Sequence, residues 1–202
     1  MRRIFFSLLV FLLLCFSVNA QEYDYCAGAG GAACTQTKLH SQETVSAAAG
    51  IGITSSAYRA SSYTAGTNDP IRTLYLLLDR DGATDNTSAV TAYLCPDNEG
   101  TPGTPPNIST CTAADSTIAH NTLSADAAYA KFNWAAGYAQ TASTTYWIVV
   151  HFAYVDGTTF INWSYNNTVD GQTVWRDDNG VPAYIQVDTS GQCDYKAYNC
   201  LE

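Results

Sequence analysis

The sequence predicts an all-β protein: an antiparallel β-sandwich, jelly-roll-like, with disulfides. Three observations lead there. From Thr44 onward the chain is a series of short runs rich in Val, Ile, Tyr, Thr and Trp, separated by clusters of Gly, Asn, Asp and Pro, the texture of strands and turns. Several runs alternate at period two, as a strand with two unlike faces must. Seven cysteines in 202 residues, six of them beyond an export signal, suit an oxidised domain.

The elements follow in chain order. Residues 1–20 read as a secretory signal peptide, with Arg2 and Arg3 as a basic start, an apolar run from Ile4 to Phe16, and Val18-Asn19-Ala20 as a small-x-small cleavage site. That run is shorter than the roughly 20 residues of a spanning helix, and no second apolar stretch of that length follows. The expectation is a secreted chain, extracellular or at the cell surface, with no membrane span. Residues 21–43 form a Gly/Ala-rich N-terminal extension, and residues 44–202 the sandwich domain. Ile71 to Asp79 is a strongly apolar strand, and Asp81-Gly82 marks the turn after it. Ala89 to Cys95 alternates, with Val90, Ala92 and Leu94 on one face. The prolines and glycines between Pro96 and Asn107 break any ladder. Ser124 to Gly137 is Ala-rich and helical on propensity, but period two gathers Ala128, Ala130, Phe132 and Trp134, which favours a strand. Tyr146 to Tyr154 is the clearest strand. Asp156-Gly157 turns the chain into Thr158 to Tyr165, where Ile161, Trp163 and Tyr165 share a face. Val174-Trp175 and Ala183 to Val187 are shorter strands.

Some of these segments form an ordered set: Thr91-Ala-Tyr-Leu-Cys95, Asp97-Asn-Glu-Gly-Thr-Pro-Gly-Thr104, Ala142-Ser-Thr-Thr-Tyr-Trp-Ile-Val-Val150 and Phe160-Ile-Asn-Trp163. The set resembles the bacterial secreted β-sandwich modules of the choice-of-anchor type, over roughly residues 45–200. Ala142-Ser143 departs from the Ala-Gly those modules often carry, as do the cysteines around the Pro/Gly loop. The resemblance implies a surface or secreted location and no particular reaction.

Charge excludes some partners. Only 13% of residues are charged and the formal net charge is −9, against about a quarter charged in an average domain. Without Arg2 and Arg3 the balance is seven basic against 18 acidic residues, or −11. Nucleic acid and anionic membranes need clustered Lys and Arg and are not expected as partners.

Six cysteines remain beyond the signal. Local pairing joins Cys26 to Cys34, Cys95 to Cys111 and Cys193 to Cys200; the rival ties Cys26 or Cys34 to the C-terminal pair. Zinc is not expected, since no CxxC occurs and no His sits at ligand spacing. His40, His120 and His151 come with no Gly-x-Ser-x-Gly, and the carboxylates sit mostly in turns, where Asp belongs anyway. The expectation is therefore a protein that is not an enzyme. Asp79, Asp81, Asp85 and Asn86 place oxygens around Gly82, which makes calcium the one cofactor candidate. Trp163, Tyr165, Trp175, Arg176 and Asp177 are the candidate sugar-binding set, rings to stack on pyranoses beside polar groups for hydroxyls. Asn86, Asn107, Asn162 and Asn166 match the glycosylation acceptor pattern.

These readings converge on a non-catalytic extracellular structural or adhesive protein. Residues 35–49 could pair with a neighbour's sheet edge, with Val45, Ala47 and Ala49 filling the groove, so that copies of the chain link into a filament. The plainer alternative makes this segment the first strand of its own sandwich. The second functional expectation is a stand-alone carbohydrate-binding module, calcium-assisted, with glycans as partners in place of copies of itself or other surface proteins.

Overall fold

A computed structural model describes residues 25–27, 33–43, 51–53, 58–97, 108–153, 158–166, 174–177, 184–188 and 192–201. The expected signal peptide, Asn107, most of the Pro/Gly loop and the Asp156-Gly157 turn lie outside the described residues. The N-terminal strands are β1 (Tyr25–Ala27), β2 (Ala33–Thr35), β3 (Lys38–Gln42), β4 (Ile51–Ile53) and β5 (Tyr58–Thr64). Then come β6 (Ile71–Asp81), β7 (Ala89–Pro96), β8 (Thr112–Ala113), β9 (Ile118–Ala119), β10 (Ala128–Tyr138) and β11 (Thr145–Phe152). The last are β12 (Phe160–Trp163), β13 (Tyr165–Asn166), β14 (Val174–Asp177), β15 (Tyr184–Asp188), β16 (Gln192–Cys193) and β17 (Tyr195–Tyr198).

Two antiparallel sheets pack together as a β-sandwich. The first has the order β3-β17-β6-β12-β4, with β10 on the other side of β6; the second has the order β15-β14-β5-β11-β7-β8, with β9 also on β7. Long strands alternate between sheets along the chain: β5 in the second, β6 in the first, β7 in the second, β10 in the first, β11 in the second and β12 in the first. That crossing back and forth is the jelly-roll habit. β10 is a strand over its whole length, so the period-two pattern prevails over the helical propensity of its alanines.

The core lies between the sheets. Leu74, Leu76 and Leu78 of β6, Phe132 and Trp134 of β10, and Ile161 and Trp163 of β12 face Val90, Ala92 and Leu94 of β7 and Ile148, Val150 and Phe152 of β11. Ala130, Phe132 and Trp134 share the inner face as the alternation requires, while Ala128 at the strand's start is exposed. His120 is also fully buried. Its ring stacks on Phe152, and its Nε2 lies 3.2 Å from the Asp81 carbonyl oxygen and 3.1 Å from that of Phe160. Two acceptors facing one nitrogen make Nε2 the protonated position, so His120 ties β6 to β12. Gly82 turns the chain beside it with φ of 83°, and a Cβ there would meet the Thr158 carbonyl oxygen at 2.6 Å.

The sheet begins earlier than the composition break at Thr44. β3 pairs with β17, matching Gln42 to Tyr195, Ser41 to Lys196 and His40 to Ala197. Residues 38–42, read above as part of an extension, are an edge strand of the sandwich itself. His40 points inward, stacked on Tyr63 at 4.4 Å and edge-on to Tyr195 at 5.5 Å.

Cys95 and Cys111 form the expected disulfide, with Cα atoms 4.2 Å apart. The expected Cys193–Cys200 pair does not form. Cys193 is a free thiol, fully buried; Cys200 is disulfide-bonded to a cysteine whose side chain lies outside those described. The reason is reach. All of β17 lies between the two cysteines, and its four extended residues alone span roughly 13 Å, beyond the roughly 7 Å a disulfide tolerates between Cα atoms. Cys26 and Cys34 lie opposite each other in the β1–β2 register.

Candidate functional site

The two sheets treat their outer faces differently. On the second sheet, Ala60, Cys95, Trp147 and Val149 form a separate, fully buried cluster, with Tyr58, Tyr93, Ile108 and Cys111 packed against it. The Cys95–Cys111 disulfide draws the segment around Ile108 back across the outside of its own sheet and so covers that face. His151 stacks on Tyr58 there at 4.4 Å, and burial lowers its pKa.

Among the described residues the outer face of the first sheet is only partly covered: Thr73 is fully buried and donates to the Cys200 carbonyl oxygen, while Lys38, Tyr129 and Lys131 are exposed. Residues paired in adjacent antiparallel strands share a face, and two rows cross this one. The first runs Lys131, Tyr75, Lys196, Ser41 across β10, β6, β17 and β3; the second runs Asn133, Thr73, Tyr198, Lys38. Tyr129, one step along β10 and opposite Leu77, is 37% exposed, the one large apolar side chain so exposed among the described residues. Tyr75 and Tyr198 are half-buried and meet edge to face at 5.7 Å. Lys196 places its Nζ 4.1 Å above the Tyr129 ring.

Glu43 organises one side of this surface. Lys38 Nζ donates to its Oε1 at 2.6 Å, and Lys196 Nζ lies 3.3 Å from its Oε2. Burial alone would raise the Glu43 carboxyl; hydrogen bonds from Lys38, Ser41 and Lys196 outweigh that and hold it at about 2. The Tyr129 phenol is pushed up to about 12, by burial first and then by the negative charges of Glu43 and Asp194. Lys38 and Lys196 thus share the Glu43 carboxylate beside the Tyr129 ring.

The candidate residues read from sequence scatter. Trp163 is fully buried and its Nε1 donates to the Asp194 carbonyl oxygen at 2.9 Å, so it cannot serve as a sugar platform. Trp175, Arg176 and Asp177 lie on β14 of the second sheet and Tyr165 on β13; their side chains fall outside those described. A single strand-period pattern does not reveal which face is inward, and Trp163 fell on the core side.

The calcium candidates are committed to local bonds. Asp79 accepts from the Asn162 amide at 2.8 Å, Asp81 accepts from the Gly82 N–H at 2.7 Å, and the Asn86 side chain accepts from the Ser88 N–H at 2.8 Å; Asp85 is exposed. Among the described residues no three His, Cys, Asp or Glu side chains gather as metal ligands. Of the glycosylation candidates, Asn86 is 8% exposed and fastens a turn, so a glycan there would unseat it. Asn162 is half-buried and bonded to Asp79. The Asn166 side chain is outside those described.

The chain matches no protein-family model and no curated protein. Among the described residues no helix is long and apolar enough to cross a membrane.

Proposed function

We propose that this is a secreted, non-catalytic adhesive module that holds sugar chains on the outer face of its first sheet. The observation that carries this is the asymmetry between the two outer faces. One is covered by a disulfide-held segment, while the other keeps Tyr75, Tyr129 and Tyr198 at the surface beside Lys131, Asn133 and Lys196. Exposed rings set among amide and ammonium donors suit pyranose stacking with hydroxyl bonding. The histidines support the non-catalytic reading. His40 and His151 are stacking partners of tyrosines, and His120 bonds two backbone carbonyls. The resemblance to choice-of-anchor modules points to the same cellular location.

The test is a glycan array probed with the mature chain, its Tyr129→Ala and Tyr198→Ala variants, and an unrelated surface variant. Each tyrosine variant is expected to melt like the parent and to bind about tenfold more weakly, since a lost stacking partner costs on the order of 1 kcal/mol or more. Silence across the array, or binding indifferent to both variants, would falsify the reading.

Filament assembly is the second reading, and β3 favours it. Among the described residues β3 pairs on one side only, with β17, and an edge strand is where another chain can add. That reading needs no departure of Lys38–Gln42 from its own sheet. Light scattering and electron microscopy of the mature protein separate the two: open-ended oligomers favour assembly, and a monomer leaves adhesion.

A further inference from the structure

The sequence contains three lysines, Lys38, Lys131 and Lys196, and the fold brings all three to the outer face of the first sheet. They come from residues far apart in the chain, in a protein with a formal charge of −9. The described arginines are engaged elsewhere: Arg59 is 4% exposed, while Arg72 donates to the Ala135 carbonyl oxygen and Arg80 to that of Leu123.

We infer that the ligand of this face is an acidic polysaccharide, a carboxylated or sulfated sugar chain. This rests on the adhesive reading above and narrows it. Lys131 and Lys196 flank Tyr75 in one row, two strand spacings apart, or about 10 Å. A sugar ring over Tyr75 would leave the acid groups of the residues on either side within reach of the two ammoniums. Tyr129, capped by Lys196, extends the platform along β10. All three lysines are gathered here while the rest of the acidic molecule repels a polyanion, so binding is confined to this one face.

Glu43 acts as a built-in competitor. Its carboxylate already holds Lys38 and Lys196, so a ligand acid group must displace it or share those donors. Asp79 and Asp194 are further carboxylates beside this face: Asp79 is engaged by Asn162, and Asp194 is buried next to Tyr129. An acid group with more than one binding oxygen and a ring for the tyrosines gains both contacts; a simple anion gains only the exchange. The face therefore selects polymers that bring rings and charges together.

The experiment measures binding of the full mature chain to immobilised polygalacturonate, heparin, neutral dextran and oligo-dT, at low and at high salt. Expected is binding to the two acidic polysaccharides that weakens with salt as exposed charges are screened. Lys131→Gln and Lys196→Gln should each weaken it about five- to tenfold, through loss of a cation contact. Glu43→Gln should strengthen it. Dextran bound as tightly as the acidic chains, with both lysine variants indifferent, would overturn this inference and leave adhesion standing. Oligo-dT bound as tightly as polygalacturonate would overturn it in favour of unselective polyanion binding. No binding to any polysaccharide would remove both readings.

Discussion

His40 shows what burial does to a single titratable side chain. Both ring nitrogens are out of solvent, and desolvation pushes the imidazole down to about 4, outweighing the opposing effect of the neighbouring Gln140 side chain. An unfolded chain protonates the same ring near 6.5. The folded state thus binds fewer protons between those values, and stability must fall as pH falls through the window. The stabilisation is complete above about 6.5, declines toward 4, and amounts to at most about 3 kcal/mol. Urea midpoints measured across this range should drop on acidification, and His40→Gln should flatten the drop; an equally steep dependence in the variant would contradict the assignment. Further acid, from about 4.5 down to 2, should protonate Glu43 and release Lys38 and Lys196.

Strands and the loop between Cys95 and Cys111 belong to the next scale. Trp147 and Val149 alternate with Ile148 and Val150 on β11, and all four are fully buried, so this strand has no solvent face. Sequence alternation located the two faces but not the cover over the second, because Ile108 and Cys111 are brought there by a disulfide. Cys111→Ser should cost about 3 kcal/mol through chain entropy. It should also wet Trp147, seen as a red shift in fluorescence and a lower melting temperature. Unchanged fluorescence with an intact melt would mean that Ile108 covers the face without the bond. β10 teaches the converse. Its inward residues Phe132 and Trp134 were legible from the period alone, whereas Tyr129 and Lys131 became part of a surface only when β6 and β17 were laid beside them.

Two sheets closed on one core also account for the free thiol. Cys193 sits with no exposure beside Ser61, whose hydroxyl accepts from the Cys193 N–H at 3.2 Å. Burial foremost, with the charge of Asp194, pushes its thiol well up, against the smaller opposing effects of Ser61 and Arg59. A maleimide should leave Cys193 untouched in the native protein and label it only after unfolding, read by mass spectrometry of the Cys193 peptide. Native labelling, or a Cys193–Cys200 peptide after non-reducing digestion, would contradict the fold at this position. By itself the sequence determined the fold class, the main strands and the Cys95–Cys111 clip, because alternation, turn residues and loop closure are local properties of the chain. Tertiary structure alone decided that Trp163 faces the core, that Cys193 stays unpaired and that three distant lysines share one face with three tyrosines. Those facts depend on which strands lie side by side, and strand neighbours in a sandwich are chosen by packing across long separations in sequence.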